Sequence, residues 1–158
     1  VAHNDLGIAY ADAGRPADAQ AQFEAALKKR PDFAAAHFNL GNLFLRSGRA
    51  AEAIPHLETA VGLNADLGEY HASLALALMQ ARRAPEAVVH YQKAVERTPD
   101  SPELQVSFAL SLAATGRLAE AVPPLEAALR LRPDFAVARR YLSQIQADLA
   151  RQQAVAKP

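Results

Sequence analysis

The chain has 158 residues, 51% of them hydrophobic, and is long enough and apolar enough to bury a core. Seventeen basic and seventeen acidic residues cancel, which excludes a strongly basic nucleic-acid-binding surface, and the lack of cysteine excludes disulfides and thiolate metal sites. No apolar run approaches the roughly 20 residues that span a bilayer. We therefore expect a soluble protein without membrane insertion, in the cytoplasm rather than the periplasm.

A repeat of 34 residues organises the predicted elements along the chain. Two rows of alanine and one row of arginine recur at this spacing, and an acidic residue follows each arginine three residues later. These rows are Ala19, Ala53, Ala87 and Ala121; Ala26, Ala60, Ala94 and Ala128; and Arg15, Arg49, Arg83 and Arg117. Large apolar residues recur at Leu6, Leu40, Leu74, Phe108 and Leu142. The period divides the chain into four repeats, residues 1–33, 34–67, 68–101 and 102–135.

Each repeat is predicted to contain two helices, as residues 34–67 illustrate. Leu40, Gly41 and Phe44 share one face of the first helix. Gly48 marks the end of this helix, because glycine readily adopts the left-handed conformation found there. The second helix then presents the apolar residues Ala53, Ile54, Leu57, Ala60 and Val61 on one face. Small residues at equivalent positions (Gly7, Gly41, Ala75 and Ala109) predict a close approach between the two helices of each repeat.

The ends of the repeats are also predicted from the sequence. Proline closes three of the second helices, with Ala65 at the fourth such position, and aspartate follows in every repeat. These residues are Pro31, Pro99 and Pro133, and Asp32, Asp66, Asp100 and Asp134. Because aspartate is a favoured N-cap residue, we expect the four aspartates to cap the helices that follow.

A solitary helix over residues 136–151 is predicted to complete the stack. Its apolar residues Tyr141, Leu142, Ile145 and Leu149 would pack on the fourth repeat, as a terminal helix with a polar outer face does in a solenoid. Residues 152–158 are predicted to form a polar tail, so that a single domain spans residues 1–152. The first repeat has no comparable cap, which favours a truncated array or an end-to-end contact there.

The 34-residue helix–turn–helix resembles the tetratricopeptide repeat (TPR). The resemblance rests on Leu40-Gly41, the following Phe44, the alanines on either side of Leu57 and the closing proline. The resemblance implies an all-α, right-handed superhelical α-solenoid of antiparallel helix pairs. The chain departs from the family pattern at a few positions. Histidine or glutamine replaces tryptophan at His3, His37, His71 and Gln105, Ala65 replaces proline, and Arg82 replaces the turn glycine.

The residues predict no catalytic or metal chemistry. Histidines within one repeat row are a helix pair apart, and no helix carries two ligands at i and i+4 with a third nearby. The two rows are His3, His37 and His71, and His56 and His90. The chain also lacks a glycine-rich phosphate loop, a nucleophile motif and paired catalytic carboxylates. We therefore predict no enzyme, no catalytic residue, no metal and no cofactor, and expect the histidines in scaffold packing or in solvent.

The resemblance implies that ligands bind in a concave groove lined by the first helices of the repeats. The corresponding faces combine apolar and polar side chains, a mixture typical of a peptide site. The predicted groove residues are Phe38, Asn39, Asn42, Arg46, Leu76, Met79, Gln80, Val106 and Leu110. For four apolar side chains, an equally good interpretation is that they fill gaps between adjacent repeats and do not contact a ligand. These are Leu45, Met79, Val106 and Leu110. The terminal-carboxylate site of some family members is not expected, because only Asn42 fits its pattern.

The most direct functional prediction is a non-catalytic protein–protein interaction module that holds a peptide segment or a partner helix. A second prediction is a self-associating structural scaffold, a homo-oligomer formed through the uncapped first repeat. A third is the regulatory or substrate-presenting arm of a larger enzyme. The sequence does not identify the partner, because a groove of mixed polarity and zero net charge fits many ligands.

Overall fold

The computed structural model describes residues 1–155, which contain nine α-helices and no strand. The helices are α1 (Ala2–Asp12), α2 (Pro16–Lys29), α3 (Ala34–Arg46), α4 (Ala50–Leu63), α5 (Gly68–Gln80), α6 (Ala84–Arg97), α7 (Pro102–Ala114), α8 (Leu118–Leu131) and α9 (Ala136–Val155). The predicted all-α class is confirmed. The chain divides into two compact units, Val1–Arg82 and Arg83–Pro158, named here the first and the second unit. The prediction of one continuous domain over residues 1–152 stays a prediction.

The first unit contains α1 to α5. Short turns join α1 to α2 and α3 to α4, and each of these pairs packs closely. Contacts also link α2 to α3 and α4 to α5, while α3 touches both α1 and α5. Leu40, Leu57 and Leu74 are no more than 1% exposed, so three of the predicted apolar positions lie in the core.

The close approach of paired helices in the first unit depends on two glycines. A Cβ atom added to Gly7 would lie 2.6 Å from Cε1 of Phe23, and one added to Gly41 would lie 2.6 Å from Cγ of Leu57. These distances are shorter than van der Waals contact allows. The prediction that Gly7 and Gly41 allow the helices to approach is therefore confirmed.

The turn after a first helix has the same backbone conformation in all four repeats. Gly14, Gly48 and Gly116 have φ angles of 70°, 71° and 80°, in the left-handed region where glycine meets no steric penalty. Arg82 occupies the equivalent position with a φ of 60°. Arginine therefore replaces the turn glycine without changing the turn, at a cost of roughly 1–2 kcal/mol for a left-handed non-glycine residue.

The second unit contains α6 to α9 around its own core. Val88, Val106, Leu112, Leu125 and Ile145 are buried together there with four alanines. Tyr141, Leu142 and Leu149 of α9 pack against this cluster, as predicted for the final helix. This helix extends to Val155, four residues beyond its predicted end at Arg151. No glycine or proline interrupts residues 152–155, so nothing ends the helix at Arg151. The rest of the predicted tail, residues 156–158, lies outside the described residues.

The predicted aspartate caps are wrong for α3, α5 and α7. These helices begin two residues after the aspartates, so that Phe33, Leu67 and Ser101 occupy the N-cap positions. Only Ser101 of these three has a side-chain cap, accepting a hydrogen bond from the Leu104 N–H at 3.2 Å. An aspartate one residue before the N-cap is out of register for the usual capping bond.

The arginine row forms ion pairs at the start of the second helices. Arg15 Nε lies 2.8 Å from a carboxylate oxygen of Asp18, and Arg49 binds Glu52 through two nitrogens at 2.7 and 2.6 Å. The same pairs recur in the second unit. These side chains are largely exposed, so each pair contributes little stability and serves mainly to orient the helix start.

Candidate functional site

Two hollows lie side by side on the face that the first helices of the first unit share. The α1–α3 hollow has a volume of about 200 Å³ and the α3–α5 hollow one of about 380 Å³. The first is lined by Ile8, Ala11, Asp12, Phe23, Phe38, Asn39, Asn42, Leu43 and Arg46. The second is lined by Asn42, Leu45, Arg46, Leu76 and Gln80. Asn42 and Arg46 line both hollows and join them into one surface.

The apolar part of this surface includes side chains that water reaches. Ile8 is 40% exposed and Leu76 is 44% exposed. The Phe38 ring stacks on Tyr70 with ring centroids 4.5 Å apart. Burial raises the pKa of Tyr70, and the neighbouring Glu69 carboxylate raises it further. The phenol therefore stays neutral, and it supports Phe38 as a rigid wall.

The polar part includes amides that differ in their availability. Asn39 Nδ2 donates a hydrogen bond to Oδ1 of the buried Asn4 at 2.9 Å, which ties α3 to α1. Within residues 1–155, the side chains of Asn42 and Gln80 make no such bond. An amide group both donates and accepts, so Asn42 and Gln80 can each bind the backbone of an extended peptide.

Charged groups of both signs stand at the edge of the hollows. Arg46 lies in the last turn of α3, where the helix dipole favours a cation. Asp12 lines the same hollow as Arg46. In the part of the chain that the structure describes, neither residue forms an ion pair. Both charges are therefore available to a ligand.

The structure separates the predicted groove residues into three groups. Six of them line the two hollows: Phe38, Asn39, Asn42, Arg46, Leu76 and Gln80. Met79 is half-buried and is not among the lining residues of either hollow. Val106 and Leu110 belong to the second unit, where Leu110 packs half-buried against the core cluster.

Val106 does not fit the groove prediction. It is only 5% exposed and is part of the core of the second unit, so it cannot contact a ligand. Asn4 occupies the same repeat position and is equally buried. Phe38, at the same repeat position, lines the α1–α3 hollow, so the burial of Val106 follows from the packing of the second unit and agrees with the gap-filling interpretation.

Asp12 is a lining residue that the sequence analysis missed. It lies 34 residues before Arg46 and so has the same place on its helix. That spacing is the signal that identifies it, because equivalent positions in adjacent repeats project toward the same face.

A pair of histidines was also missed. His37 Nδ1 lies 3.0 Å from His56 Nδ1, and His37 Nε2 lies 2.9 Å from the carbonyl oxygen of Pro31. Burial lowers the pKa of His56, repulsion from His37 lowers it further, and Glu24 opposes the shift. His37 and His56 belong to different repeat rows, so the 34-residue spacing within one row does not reveal the pair. No group of three or more His, Asp or Glu side chains suited to a metal occurs within residues 1–155.

None of the helices within residues 1–155 combines the length and the apolar character that crossing a bilayer requires.

The helix pairs repeat every 34 residues, and the first helices present an open face of mixed polarity. These two features define an α-helical repeat protein of the protein-interaction class. A sequence profile of the tetratricopeptide repeat matches residues 4–67, 45–102 and 72–134. These matches cover most of the chain, which belongs to the tetratricopeptide repeat family. No curated protein sequence is significantly similar to it.

Solved structures confirm the fold class. A crystal structure of MamA matches with a TM-score of 0.87 and 20% identity, over 95% of this chain and 88% of MamA. YrrB, described as a TPR protein with an unusual peptide-binding site, matches with a TM-score of 0.88 and 22% identity, over 94% of this chain and 76% of YrrB. MamA from Desulfovibrio magneticus RS-1, from residue 41 to its end, matches with a TM-score of 0.78 and 22% identity, over 85% and 76%. The chain thus has the all-α solenoid fold of antiparallel helix pairs.

Proposed function

We propose that this chain is a non-catalytic interaction module that binds a peptide segment or a partner helix on the first-helix face of its first unit. The observation that carries the proposal is the pair of adjacent hollows joined by Asn42 and Arg46. The side chains of Asn42, Arg46 and Gln80 have no side-chain partners among residues 1–155, and exposed apolar side chains lie next to them. A ligand can therefore bury apolar surface and satisfy these polar groups at the same time.

The chemistry of the hollows favours a ligand in extended or helical form. Asn42 and Gln80 can bind main-chain groups, Ile8 and Leu76 can contact apolar side chains, and Arg46 can bind an acidic group or a carbonyl oxygen. YrrB, which shares the fold, is itself described as having a peptide-binding site. That similarity supports a peptide ligand for this chain without specifying its sequence.

The proposal is tested with peptides selected from a random displayed library against the full chain, and their affinities measured by fluorescence anisotropy. Leu76→Ala and Arg46→Ala are each expected to weaken binding about tenfold, the equivalent of about 1.4 kcal/mol. Leu63→Ala is the matched control, because Leu63 on α4 is 45% exposed and lies outside both hollows. Circular dichroism verifies that each variant is folded.

Failure to select any peptide would contradict the proposal. So would equal affinities for wild type, Leu76→Ala and Arg46→Ala. A loss of binding that Leu63→Ala reproduces would place the contact elsewhere on the first unit.

Self-association is the second candidate function, because one apolar residue is exposed where its repeat counterpart is buried. Leu6 on α1 is 43% exposed, whereas Leu40 at the same repeat position is 1% exposed. A second copy that covers α1 would bury Leu6. Light scattering over a range of concentrations tests this candidate, and Leu6→Glu is expected to keep the protein monomeric if α1 is the contact.

A further inference from the structure

The three first helices of the first unit end at equivalent positions beside the two hollows. Asp12, Arg46 and Gln80 are 34 residues apart, and they are the last residues of α1, α3 and α5. Asp12 lines the α1–α3 hollow, Gln80 lines the α3–α5 hollow and Arg46 lines both. The helix ends therefore present an acid, a base and an amide, in that order, across one surface.

The two charges of this row call for opposite charges on a ligand. Among residues 1–155, neither Asp12 nor Arg46 forms an ion pair. Helix α1 has no basic residue in its last turn, so the negative end of its dipole adds to the Asp12 carboxylate and favours a cation there. The Arg46 guanidinium favours an anion, and it can bind a carboxylate through two nitrogens. A complementary ligand thus carries a cation at α1 and an anion at α3.

The spacing of the helices selects the conformation of such a ligand. Helix α3 contacts both α1 and α5, and the axes of packed helices are about 8–10 Å apart. In a polyproline II segment every third side chain points the same way, at intervals of about 9 Å. A β-strand returns to one face after about 6.5–7 Å or about 13 Å. Of these two extended conformations, only polyproline II matches the distance between the helices.

The uncommitted amides favour the same conformation over a helical ligand. Asn42 and Gln80 can each bind a main-chain N–H or C=O group. A helix uses these groups in its own hydrogen bonds, whereas a polyproline II segment leaves all of them free. The Phe38 ring, stacked on Tyr70, adds an aromatic wall of the kind against which polyproline II segments dock.

We propose that this face binds a partner segment in polyproline II conformation whose every third residue is basic, acidic and apolar, in that order from α1 to α5. The inference rests on the proposed interaction function and specifies its ligand. The basic side chain lays its aliphatic stem along Ile8 and reaches Asp12 with its charge. The acidic side chain binds Arg46, and the apolar one covers Leu76, which is 44% exposed. The residues between these three face away from the helices and can be proline.

The test selects peptides of about 12 random residues from a displayed library against the full chain, and the selected pools are sequenced. Asp12→Lys and Arg46→Glu are the test variants, because each reverses one charge of the row. Glu58→Lys and Lys93→Glu are the matched controls, since they make the same changes in net charge at exposed positions outside both hollows. Circular dichroism verifies folding, and Asp12→Asn or Arg46→Gln replaces a reversal variant that fails to fold.

We expect the wild-type pool to be enriched in peptides with a basic and an acidic residue three positions apart. Selection on Asp12→Lys should exchange the basic residue for an acidic one, and selection on Arg46→Glu should exchange the acidic residue for a basic one. The control pools should keep the wild-type pattern. In a selected peptide, proline between the paired residues should preserve the affinity, whereas glycine there should weaken it about threefold, because it makes the free peptide more flexible.

Three results would overturn the inference and leave the proposed function intact. The first is enrichment at a spacing of two or seven residues, which indicates a strand or a helix. The second is loss of binding when proline is placed between the paired residues. The third is a charge pattern that neither reversal changes, although Leu76→Ala still weakens binding. Failure to select any peptide would contradict the inference and the proposed function together.

Discussion

The first and second repeats have the same sequence pattern but very different burial. Helix α1 buries only Asn4 and Gly7, whereas α3 buries six residues, including Leu40 and Phe44. The reason lies in their neighbours, because α3 packs against α2 and α4 and also contacts α1 and α5, whereas α1 packs mainly against α2. A repeat position therefore determines which way a side chain points, and the adjacent helices determine whether it is covered.

The hydrogen bonds of His3 and His37 likewise depend on the residue that faces each of them from the second helix of its repeat. His3 pairs with Gln22 and His37 pairs with His56, each across the two helices of one repeat. The two contacts are equivalent in position but differ in chemistry, because one joins an imidazole to an amide and the other joins two imidazoles. Substitutions at matched positions of the two repeats separate the effect of position from the effect of surroundings.

The largest expected difference concerns Leu6 and Leu40. Leu40→Ala is expected to lower the free energy of unfolding by about 2–5 kcal/mol, because it opens a cavity in a core position that is 1% exposed. Leu6→Ala is expected to cost less than about 1 kcal/mol, since Leu6 is already 43% exposed. Urea unfolding followed by circular dichroism measures both. Equal losses for the two variants would show that burial does not distinguish the repeats.

The next effect concerns the glycines between paired helices. Gly41→Ala is expected to destabilise the protein by about 1–2 kcal/mol, because overpacking against Leu57 exceeds the gain in helix propensity. Gly7→Ala is expected to cost less, because α1 has fewer neighbours and can move away from Phe23. Thermal unfolding measures both changes.

Gly62 provides the control for the glycine series. It lies in α4 with no atom within 4 Å of an added Cβ, so Gly62→Ala is expected to stabilise by about 0.5–1 kcal/mol. Stabilisation by Gly41→Ala as well would contradict the close approach of α3 and α4.

A smaller effect is expected at the turn after the first helix. Arg82→Gly is expected to stabilise the protein by up to about 1 kcal/mol, because glycine removes left-handed strain but also makes the unfolded chain more flexible. Gly48→Ala, at the same place in the second repeat, should destabilise by a similar amount. Chemical unfolding of both variants checks the pair. If Arg82→Gly destabilised the protein, arginine would contribute a contact that outweighs the backbone strain.

The smallest expected effect is a dependence of stability on pH that arises from His56 in the second repeat. The pKa of His56 is lowered in the folded state, so as pH falls through the usual histidine range near 6.5 the unfolded chain takes up a proton first. Stability is therefore lost on acidification and is regained above that range. His56→Gln should flatten the slope of unfolding free energy between pH 7.5 and 5.5. An unchanged slope in this variant would contradict the assignment.

Most of the fold and part of the candidate site follow from the sequence. The 34-residue spacing identifies the helix pairs, the turn glycines and the small residues at Gly7 and Gly41, because each depends on the rotation of a residue about its own helix. The same spacing places Asn42, Arg46 and Leu76 on one face. It also contains the signal for Asp12, although that signal was not used.

The remaining features of the fold and the candidate site depend on contacts between side chains of different helices. The Asn4–Asn39 bond, the Phe38–Tyr70 stack and the His37–His56 pair each join different helices, and a period along one chain does not specify these contacts. The helix starts after Asp32 and Asp66 were also misplaced, because a shift of one residue in the entering loop moves a capping side chain out of reach.

The sequence by itself determined that this protein is a tetratricopeptide-repeat chain of helix pairs, since local periodicity and close packing of small residues permit few other arrangements. Only the tertiary structure decided that Val106 is buried, that Leu6 is exposed and that two histidines face each other. Burial and pairing are properties of the space between helices, and the packing of neighbouring helices defines that space.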